Sequence, residues 1–273
     1  MHSALPSGAG GSRRWRRDAA LGASTALLAG SIAMLGAEAI WTARRRLPSL
    51  QGIDATGPVP GAAGEQRAPI RLVALGDSTL TGPGLTDPDD IWLRRSLRDL
   101  HLEPTVDVVS LAVGGSRVEH VRAVVPAALD LDPDLVIIAV GSNDAIHGTG
   151  FRAFTETLDT IVATLLTQVA AVGVCNVGDL GNVARVPMPL SSLLRQRSLS
   201  ISRRVAAVVA RHERAVLMDV TASNVGFRDR GVFAEDLFHP NETGHALWAK
   251  AAEPGLHELL AGLGDQPAGN RST

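Results

Sequence analysis

The sequence has no tyrosine and few other aromatic residues, which together make up 3% of its 273 residues. A hydrophobic core must therefore be built from leucine, valine, alanine and isoleucine. Cys175 is the only cysteine, so the chain can form no intrachain disulfide, and its cysteine content is compatible with any compartment. Lysine also occurs once, at Lys250, and the prevalence of arginine indicates a GC-rich coding sequence more than a mechanism.

Positive charge outweighs negative charge only in the first 46 residues. Residues 1–46 contain seven arginines against Asp18 and Glu38, which gives that part of the chain a charge of +5. Because the whole chain carries −2, the remaining residues 47–273 carry −7. Domains that bind nucleic acids normally present a basic face, so an acidic main part argues against nucleic acid as a partner.

Only one apolar stretch, residues 19–43, is long enough to concern a membrane. A helix needs about 20 apolar residues to cross a bilayer, and an uncleaved anchor is the favoured interpretation. A cleaved export signal is the second, since Ala37-Glu38-Ala39 has the small-x-small form of a cleavage site. An amphipathic surface helix is the third and least consistent, because the stretch is apolar on every face.

Arginines flank this stretch on both sides, with four before it and three after it. The small excess on the amino side favours a cytoplasmic amino terminus. We therefore expect a chain that is membrane-anchored or exported. Its partner through residues 19–43 would be the membrane, and its folded domain would lie outside the cytoplasm.

Composition divides the chain into five parts. Residues 1–18 are basic or small and are predicted to be disordered, and the apolar residues 19–43 follow them. Residues 44–68 are rich in proline, glycine and alanine, which is typical of a linker. The folded domain is then predicted to span residues 69–262, and residues 263–273 to form a disordered tail.

Within residues 69–262, short apolar runs alternate with longer amphipathic patterns. Strands separated by helices of this length predict an α/β fold with a parallel sheet covered by helices on both faces. The predicted strands are residues 71–75, 106–111, 135–140, 174–177 and 215–219, and the predicted helices are residues 91–100, 118–129, 151–172, 191–212 and 243–260.

Unusual residues follow several of these strands and precede the last helix. In a parallel sheet the carboxyl ends of the strands meet at one edge, where open α/β sheets bind their ligands. We therefore expect four short blocks to lie close together. They are Gly76-Asp77-Ser78, Gly114-Gly115, Gly141-Ser142-Asn143-Asp144 and Asp236-Leu237-Phe238-His239.

Asp236 and His239 are three residues apart, so the carboxylate can accept from the ring Nδ1–H and leave Nε2 free as a base. Such a base can activate Ser78, because a serine hydroxyl is a weak nucleophile until its proton is removed. The oxyanion of acyl transfer needs donors, and the candidates are the Ser78 N–H, the Gly115 N–H and the Asn143 side-chain amide. A helix beginning at Ser78 would add the favourable end of its dipole.

Each block alone has a purely structural interpretation. Asp77 or Ser78 can cap a helix, Gly114-Gly115 can form a tight turn, and Asn143-Asp144 can cap a helix as well. All four blocks in this order, each beyond a predicted strand or before the last helix, are hard to obtain by chance.

The ordered set resembles the SGNH/GDSL hydrolase family over about residues 70–260. The resemblance implies a three-layer α/β/α sandwich with a flavodoxin-like, five-stranded parallel sheet in the order 2-1-3-4-5. It implies that Ser78 is the nucleophile, His239 the base and Asp236 the acid that orients it. It also implies an oxyanion hole of Ser78, Gly115 and Asn143.

One position departs from the family pattern, since Ser110 stands where family members usually carry asparagine. We expect this residue to help hold its loop, so the departure concerns efficiency more than mechanism. The resemblance implies a serine esterase or lipase acting on a small-molecule or lipid ester, with no cofactor and no metal. Two alternatives remain open: an envelope acyltransferase or deacylase acting on acylated glycans or lipids, and a catalytically silent, membrane-anchored binding module.

Two further features have two interpretations each. His147 either lines the pocket or is a solvated loop residue. Residues 182–190 either overhang the pocket and contact an acyl chain or form a plain connection. Cys175 is expected in the core, and the other histidines lack metal-ligand spacing.

Overall fold

In the computed structural model of the chain, the described residues are 30, 33–38, 40, 41, 47–62 and 68–263. The chain divides into two compact units, residues 1–46 and residues 47–273. The described residues of the first unit are helical. Within the described residues, no helix is both long enough and apolar enough to cross a bilayer. Most of the predicted anchor or signal, residues 19–43, lies outside the described residues, so that interpretation stays a prediction.

The second unit is built on a sheet that has six strands within the described residues. Its order is β1-β3-β2-β4-β5-β6; every neighbouring pair is parallel except β1 with β3. Counted along the chain, the five parallel strands have the predicted order 2-1-3-4-5. The strands are β1 (Gly57–Val59), β2 (Ile70–Gly76), β3 (Val106–Ser110), β4 (Leu135–Ala139), β5 (Ala171–Cys175) and β6 (Ala215–Met218).

Helices connect the parallel strands, as the alternating pattern predicted. Short 3-10 turns occupy Pro88–Asp90, Leu180–Asn182, Val220–Arg228 and Arg230–Val232. The α-helices of this unit are α1 (Ser78–Thr81), α2 (Trp92–Asp99), α3 (Val118–Leu129), α4 (Ser142–His147), α5 (Phe151–Leu165), α6 (Leu190–Val209) and α7 (Glu242–Ala261).

Both faces of the sheet are buried. Alternate residues of a strand point to opposite faces, and each face packs against helices. Leu72 and Ile137 belong to one apolar cluster, which includes residues of α2 and α7. Val73 and Ile138 belong to the other, which includes residues of α3, α5 and α6. The chain therefore forms the predicted three-layer α/β/α sandwich, and the continuous apolar runs of its central strands reflect burial on both faces.

Residues 47–62 fold onto the sheet, although their composition predicted a linker. β1 pairs antiparallel with β3, and the side chains of Ala55 and Val59 are buried. Arg94, itself buried, donates to the carbonyls of Ala55 (3.2 Å), Gly57 (2.9 Å) and Pro58 (3.1 Å). The linker prediction is wrong for this part of the chain. A linker would expose its backbone carbonyls to water, whereas here Arg94 of α2 donates hydrogen bonds to them, and composition gives no sign of that contact.

Candidate active site

Ser78 lies just beyond the carboxyl end of β2, as the sequence predicted, and it is the first residue of α1. Gly76 ends the strand where β2 passes β4 so closely that a Cβ atom would overlap the carbonyl oxygen of Ala139. Only glycine fits there. α1 is a single turn, so few peptide dipoles are aligned in it, and its macrodipole contributes less at Ser78 than a long helix would. The stabilisation of a negative charge at Ser78 therefore depends on individual hydrogen-bond donors.

Asp77 connects the helix of Ser78 to the third block. The carboxyl group is fully buried, and its Oδ1 accepts from the Thr79 N–H at 3.0 Å, which caps α1. Its Oδ2 accepts from the Asn143 side-chain amide at 3.3 Å. Capping a helix thus accounts for only one of the contacts of Asp77, and no feature of the sequence indicated the link to Asn143.

The third block places its two polar residues differently. Asn143 lies in the first turn of α4 and directs its amide at Asp77. Asp144 is buried, and its Oδ2 accepts from the N–H of Val118 at 3.0 Å, where α3 begins. Burial raises the pKa of the Asp144 carboxyl. A capping interpretation therefore fits Asp144, although the helix that it caps is α3 and not its own.

The two predicted backbone donors are open at the sheet edge. Gly115 lies in the exposed loop after β3 with a φ of +82°, a conformation that favours glycine. Within the described residues, neither the Gly115 N–H nor the Ser78 N–H has a protein acceptor. Both residues line the same groove. Their N–H groups are thus free to donate to a bound group. Asn143 lines neither of the two cavities that contain Ser78, and its amide donates to Asp77.

Asp236 and His239 make the contact that their spacing predicted. The ring Nδ1 of His239 lies 2.6 Å from Oδ2 of Asp236. Oδ1 of the same carboxylate accepts from the N–H groups of Phe238 (3.0 Å) and His239 (2.9 Å). Leu237 adopts a φ of +57°, which turns the loop back on itself.

This network favours an ionised Asp236. Burial alone would raise the pKa of the Asp236 carboxyl. Hydrogen bonds from the His239 ring and from the His239 and Phe238 N–H groups outweigh this effect, and the pKa lies below its ordinary value. An ionised acceptor keeps the ring proton on Nδ1. Nε2 of His239 has no hydrogen-bond partner in the described part of the chain, so it is free to act as a base.

Two cavities meet at Ser78 and His239, which line both of them. The first has a volume of about 60 Å³ and is mainly apolar. The second is an open groove of about 610 Å³ with a mainly polar lining, which includes Gln51, Asp54 and Gly115. The apolar cavity is lined by Leu180, Val183, Phe227, Phe233, Phe238 and Trp248.

The remaining sequence expectations have mixed outcomes. Of residues 182–190, Val183 lines the apolar cavity, whereas Met188 is exposed. His147 is exposed on α4, with Nδ1 2.9 Å from the Asn143 carbonyl. Ser110 ends β3, and its hydroxyl accepts from the Ala112 N–H at 3.4 Å within its own loop. Cys175 is buried, and burial raises the pKa of its thiol.

Burial raises the pKa of the Asp77 carboxyl to about 6, from an ordinary 3.8, although hydrogen bonds from Thr79 and Asn143 oppose the shift. Between about pH 4 and pH 6 the unfolded chain has lost this proton and the folded chain keeps it. The free energy of unfolding should therefore fall as pH rises through this window, by about 3 kcal/mol from this group. Asp77→Asn has no proton to lose and should lack this contribution.

Urea unfolding of both proteins at a series of pH values measures the difference. All other titrating groups are shared, so the change in slope isolates Asp77. Equal slopes for the wild type and Asp77→Asn between pH 4 and pH 6 would contradict the expectation.

Comparisons with known proteins identify the family and the fold. Residues 74–247 match the model of the GDSL-like Lipase/Acylhydrolase family. The crystal structure of TesA superposes with a TM-score of 0.57 at 24% identity, covering 69% of this chain and 99% of TesA. The psychrotrophic esterase EstA from Pseudoalteromonas sp. gives a TM-score of 0.56 at 16% identity, with 70% and 98% covered.

A catalytic mutant of Axe2, an acetylxylan esterase from Geobacillus stearothermophilus, gives a TM-score of 0.55 at 18% identity, with 74% of this chain and 97% of Axe2 covered. At these identities the superpositions establish the fold alone. No curated protein matches the sequence significantly.

Proposed function

The chain belongs to the GDSL-like lipase/acylhydrolase family, and from that premise we propose that it cleaves carboxylic esters through an acyl-enzyme on Ser78. One observation carries the proposal. His239, held by Asp236 at 2.6 Å, lines the same two cavities as Ser78. A base with a free Nε2 and a serine hydroxyl thus face the space where an ester would bind.

In the first half of the reaction, Ser78 Oγ attacks the ester carbonyl carbon and His239 Nε2 takes the hydroxyl proton. The carbonyl oxygen becomes an oxyanion, which the N–H groups of Ser78 and Gly115 and the amide of Asn143 stabilise. Asp236 stabilises the imidazolium that forms. His239 then gives its proton to the alcohol oxygen, the carbon–oxygen bond breaks, and the acyl group remains on Ser78.

In the second half, water takes the place of the alcohol. His239 Nε2 removes a proton from the water as its oxygen attacks the acyl carbon, and an oxyanion forms again at the same donors. When this intermediate collapses, the bond to Ser78 Oγ breaks and His239 returns the proton to that oxygen. The acid is released and the enzyme is regenerated, with no redox change.

Labelling with a fluorophosphonate tests the proposal. Such a probe reacts with a serine that a neighbouring base activates, so we expect one covalent adduct, on the peptide that contains Ser78. Mass spectrometry of the digested protein locates the adduct, and heat-unfolded protein is the control that should stay unlabelled. An unlabelled native protein, or an adduct on another serine, would count against the assignment.

The second candidate is removal or transfer of acyl groups on glycans or lipids. The polar groove beside a small apolar cavity favours it, because such substrates combine hydroxyl groups with a hydrocarbon chain. The similar fold of an acetylxylan esterase is consistent with the glycan variant. Product analysis with added sugar acceptors separates acyl transfer from hydrolysis. A catalytically silent module is disfavoured, because Ser78, Asp236 and His239 are all present and His239 keeps its acid partner.

A further inference from the structure

One wall of the polar groove comes from a segment outside the part of the chain that the family model matches. Residues Leu50–Asp54 line the groove together with Ser78, Gly115 and His239. The family match begins at residue 74. The segment therefore lies outside the matched part of the chain, and it reaches the place where the proposed chemistry occurs.

The segment is fixed to the helix that begins at Ser78. The Ile53 N–H donates to the carbonyl of Thr81, the last residue of α1, at 2.7 Å. The carbonyl of Gln51 accepts from the Gly84 N–H at 3.3 Å. A side chain at position 52 would overlap Thr81 Oγ1, so Gly52 allows the close approach. These contacts hold the wall in one position relative to Ser78.

The segment is also fixed at its other end. Ala55 is fully buried, and its carbonyl accepts from Arg94. Gly57–Val59 pairs with β3, which leads into the loop of Gly115. Because both ends of the segment are anchored, Leu50–Asp54 forms a fixed wall of the groove.

The chemistry of the wall suits a neutral, hydroxyl-bearing group. Gln51 and Asp54 are exposed and line the groove, so their side chains can meet a ligand. Oδ1 of Asp54 accepts from the Thr56 N–H, which leaves Oδ2 to accept from a ligand hydroxyl. The side-chain amide of Gln51 can both donate to a hydroxyl and accept from one. The Asp54 carboxylate repels anionic groups. The cavity on the other side of Ser78 is apolar and suits a short hydrocarbon chain.

We propose that Leu50–Asp54 is a specificity-determining segment that selects esters with a neutral, polyhydroxyl alcohol portion, whose hydroxyl groups donate to the Asp54 carboxylate and hydrogen-bond with the Gln51 amide. The acyl portion then occupies the apolar cavity. The inference rests on the proposed ester hydrolysis at Ser78. Sugar units and glycerol both supply a neutral, polyhydroxyl alcohol portion. Esters of each kind are therefore compared, to find out which of the two alcohols the segment selects.

The test uses the full chain and butyrate esters that differ only in the alcohol. Glycerol monobutyrate and 6-O-butyryl glucose are compared with propyl butyrate and hexyl butyrate. We expect the wild type to prefer a polyhydroxyl ester by about tenfold or more in kcat/KM. In the double variant Gln51→Ala, Asp54→Ala, this preference should fall to about threefold or less, mainly through KM. Whichever polyhydroxyl ester shows the larger loss identifies the source.

The matched control is Asp130→Ala. Asp130 is also an exposed aspartate, but it directly follows α3 in the connection to β4, at the opposite edge of the sheet. It should keep the wild-type preference. Fluorophosphonate labelling of Ser78 in the double variant shows that the catalytic groups are intact.

Three outcomes would overturn the inference. A double variant with an unchanged preference would show that Gln51 and Asp54 do not select the alcohol. A wild type that is labelled at Ser78 but prefers propyl or hexyl butyrate would refute the inference and leave the proposed function standing. A wild type with neither labelling nor hydrolysis would refute both.

Discussion

Ser78→Ala is expected to lower kcat/KM for ester hydrolysis by at least about 10⁴-fold, while the free energy of unfolding stays close to that of the wild type. The alanine variant has no oxygen on which an acyl-enzyme can form, and His239 loses the group that it activates. The hydroxyl makes no hydrogen bond within the described residues, so its removal leaves no buried partner unsatisfied. Initial rates on p-nitrophenyl butyrate and a urea unfolding curve measure the two quantities.

Two further variants make this result specific. His239→Ala should cost about as much as Ser78→Ala, and the double variant should cost little more than either, because the two groups act as one unit. Ser200→Ala removes a hydroxyl from α6, outside both cavities, and should hydrolyse esters like the wild type. Multiplicative losses in the double variant, or near-normal rates in Ser78→Ala, would argue against a shared nucleophile and base.

Asn143→Ala is expected to lower kcat by about 10²- to 10³-fold with a small change in KM. The amide donor is needed when negative charge develops on the carbonyl oxygen, and it is needed much less when the neutral ester binds. Asp77 also loses its hydrogen bond from Asn143 in this variant, so its carboxyl should titrate higher than in the wild type. Steady-state kinetics at several substrate concentrations separate kcat from KM.

His147→Ala serves as the control for Asn143→Ala. The substitution shortens an exposed side chain on the same helix as Asn143. The Nδ1 atom of the His147 ring contacts the carbonyl of Asn143. We expect its kcat to stay within about threefold of the wild type, since surface changes away from buried networks have small effects. If Asn143→Ala raised KM with kcat unchanged, the amide would be a ground-state contact and the oxyanion assignment would be wrong.

The main features of the fold were accessible from the sequence because each central strand is a continuous apolar run between helical patterns. The order of the parallel strands came from the family resemblance, and the sheet has that order. α1 and α4 were anticipated only as helices that strand-end residues could cap. No range was predicted for either, since helices of one or two turns are too short to show a period. β5 begins at Ala171, earlier than predicted, because apolar residues on both sides of Val174 gave no boundary.

The site was predictable where its residues are close in sequence. The spacing of Asp236 and His239 was enough to expect their contact, and the strand-end position of Ser78 placed it at the sheet edge. The link from Asp77 to Asn143 joins residues from two different strand ends, and Asp54 reaches the groove from a segment with linker composition. Such contacts depend on tertiary placement, which neither periodicity nor spacing encodes.

The short strand β1 bears on how the protein behaves at high concentration. It covers the outer edge of β3, whose Val106 and Val108 are each 1% exposed. An uncovered strand edge offers unpaired N–H and C=O groups as a template for another chain, whereas Pro58 in β1 has no N–H to offer. A shortened protein that starts at residue 69 would lose this cover and become prone to aggregation through β3. Residues 47–62 thus protect solubility as well as shaping the groove.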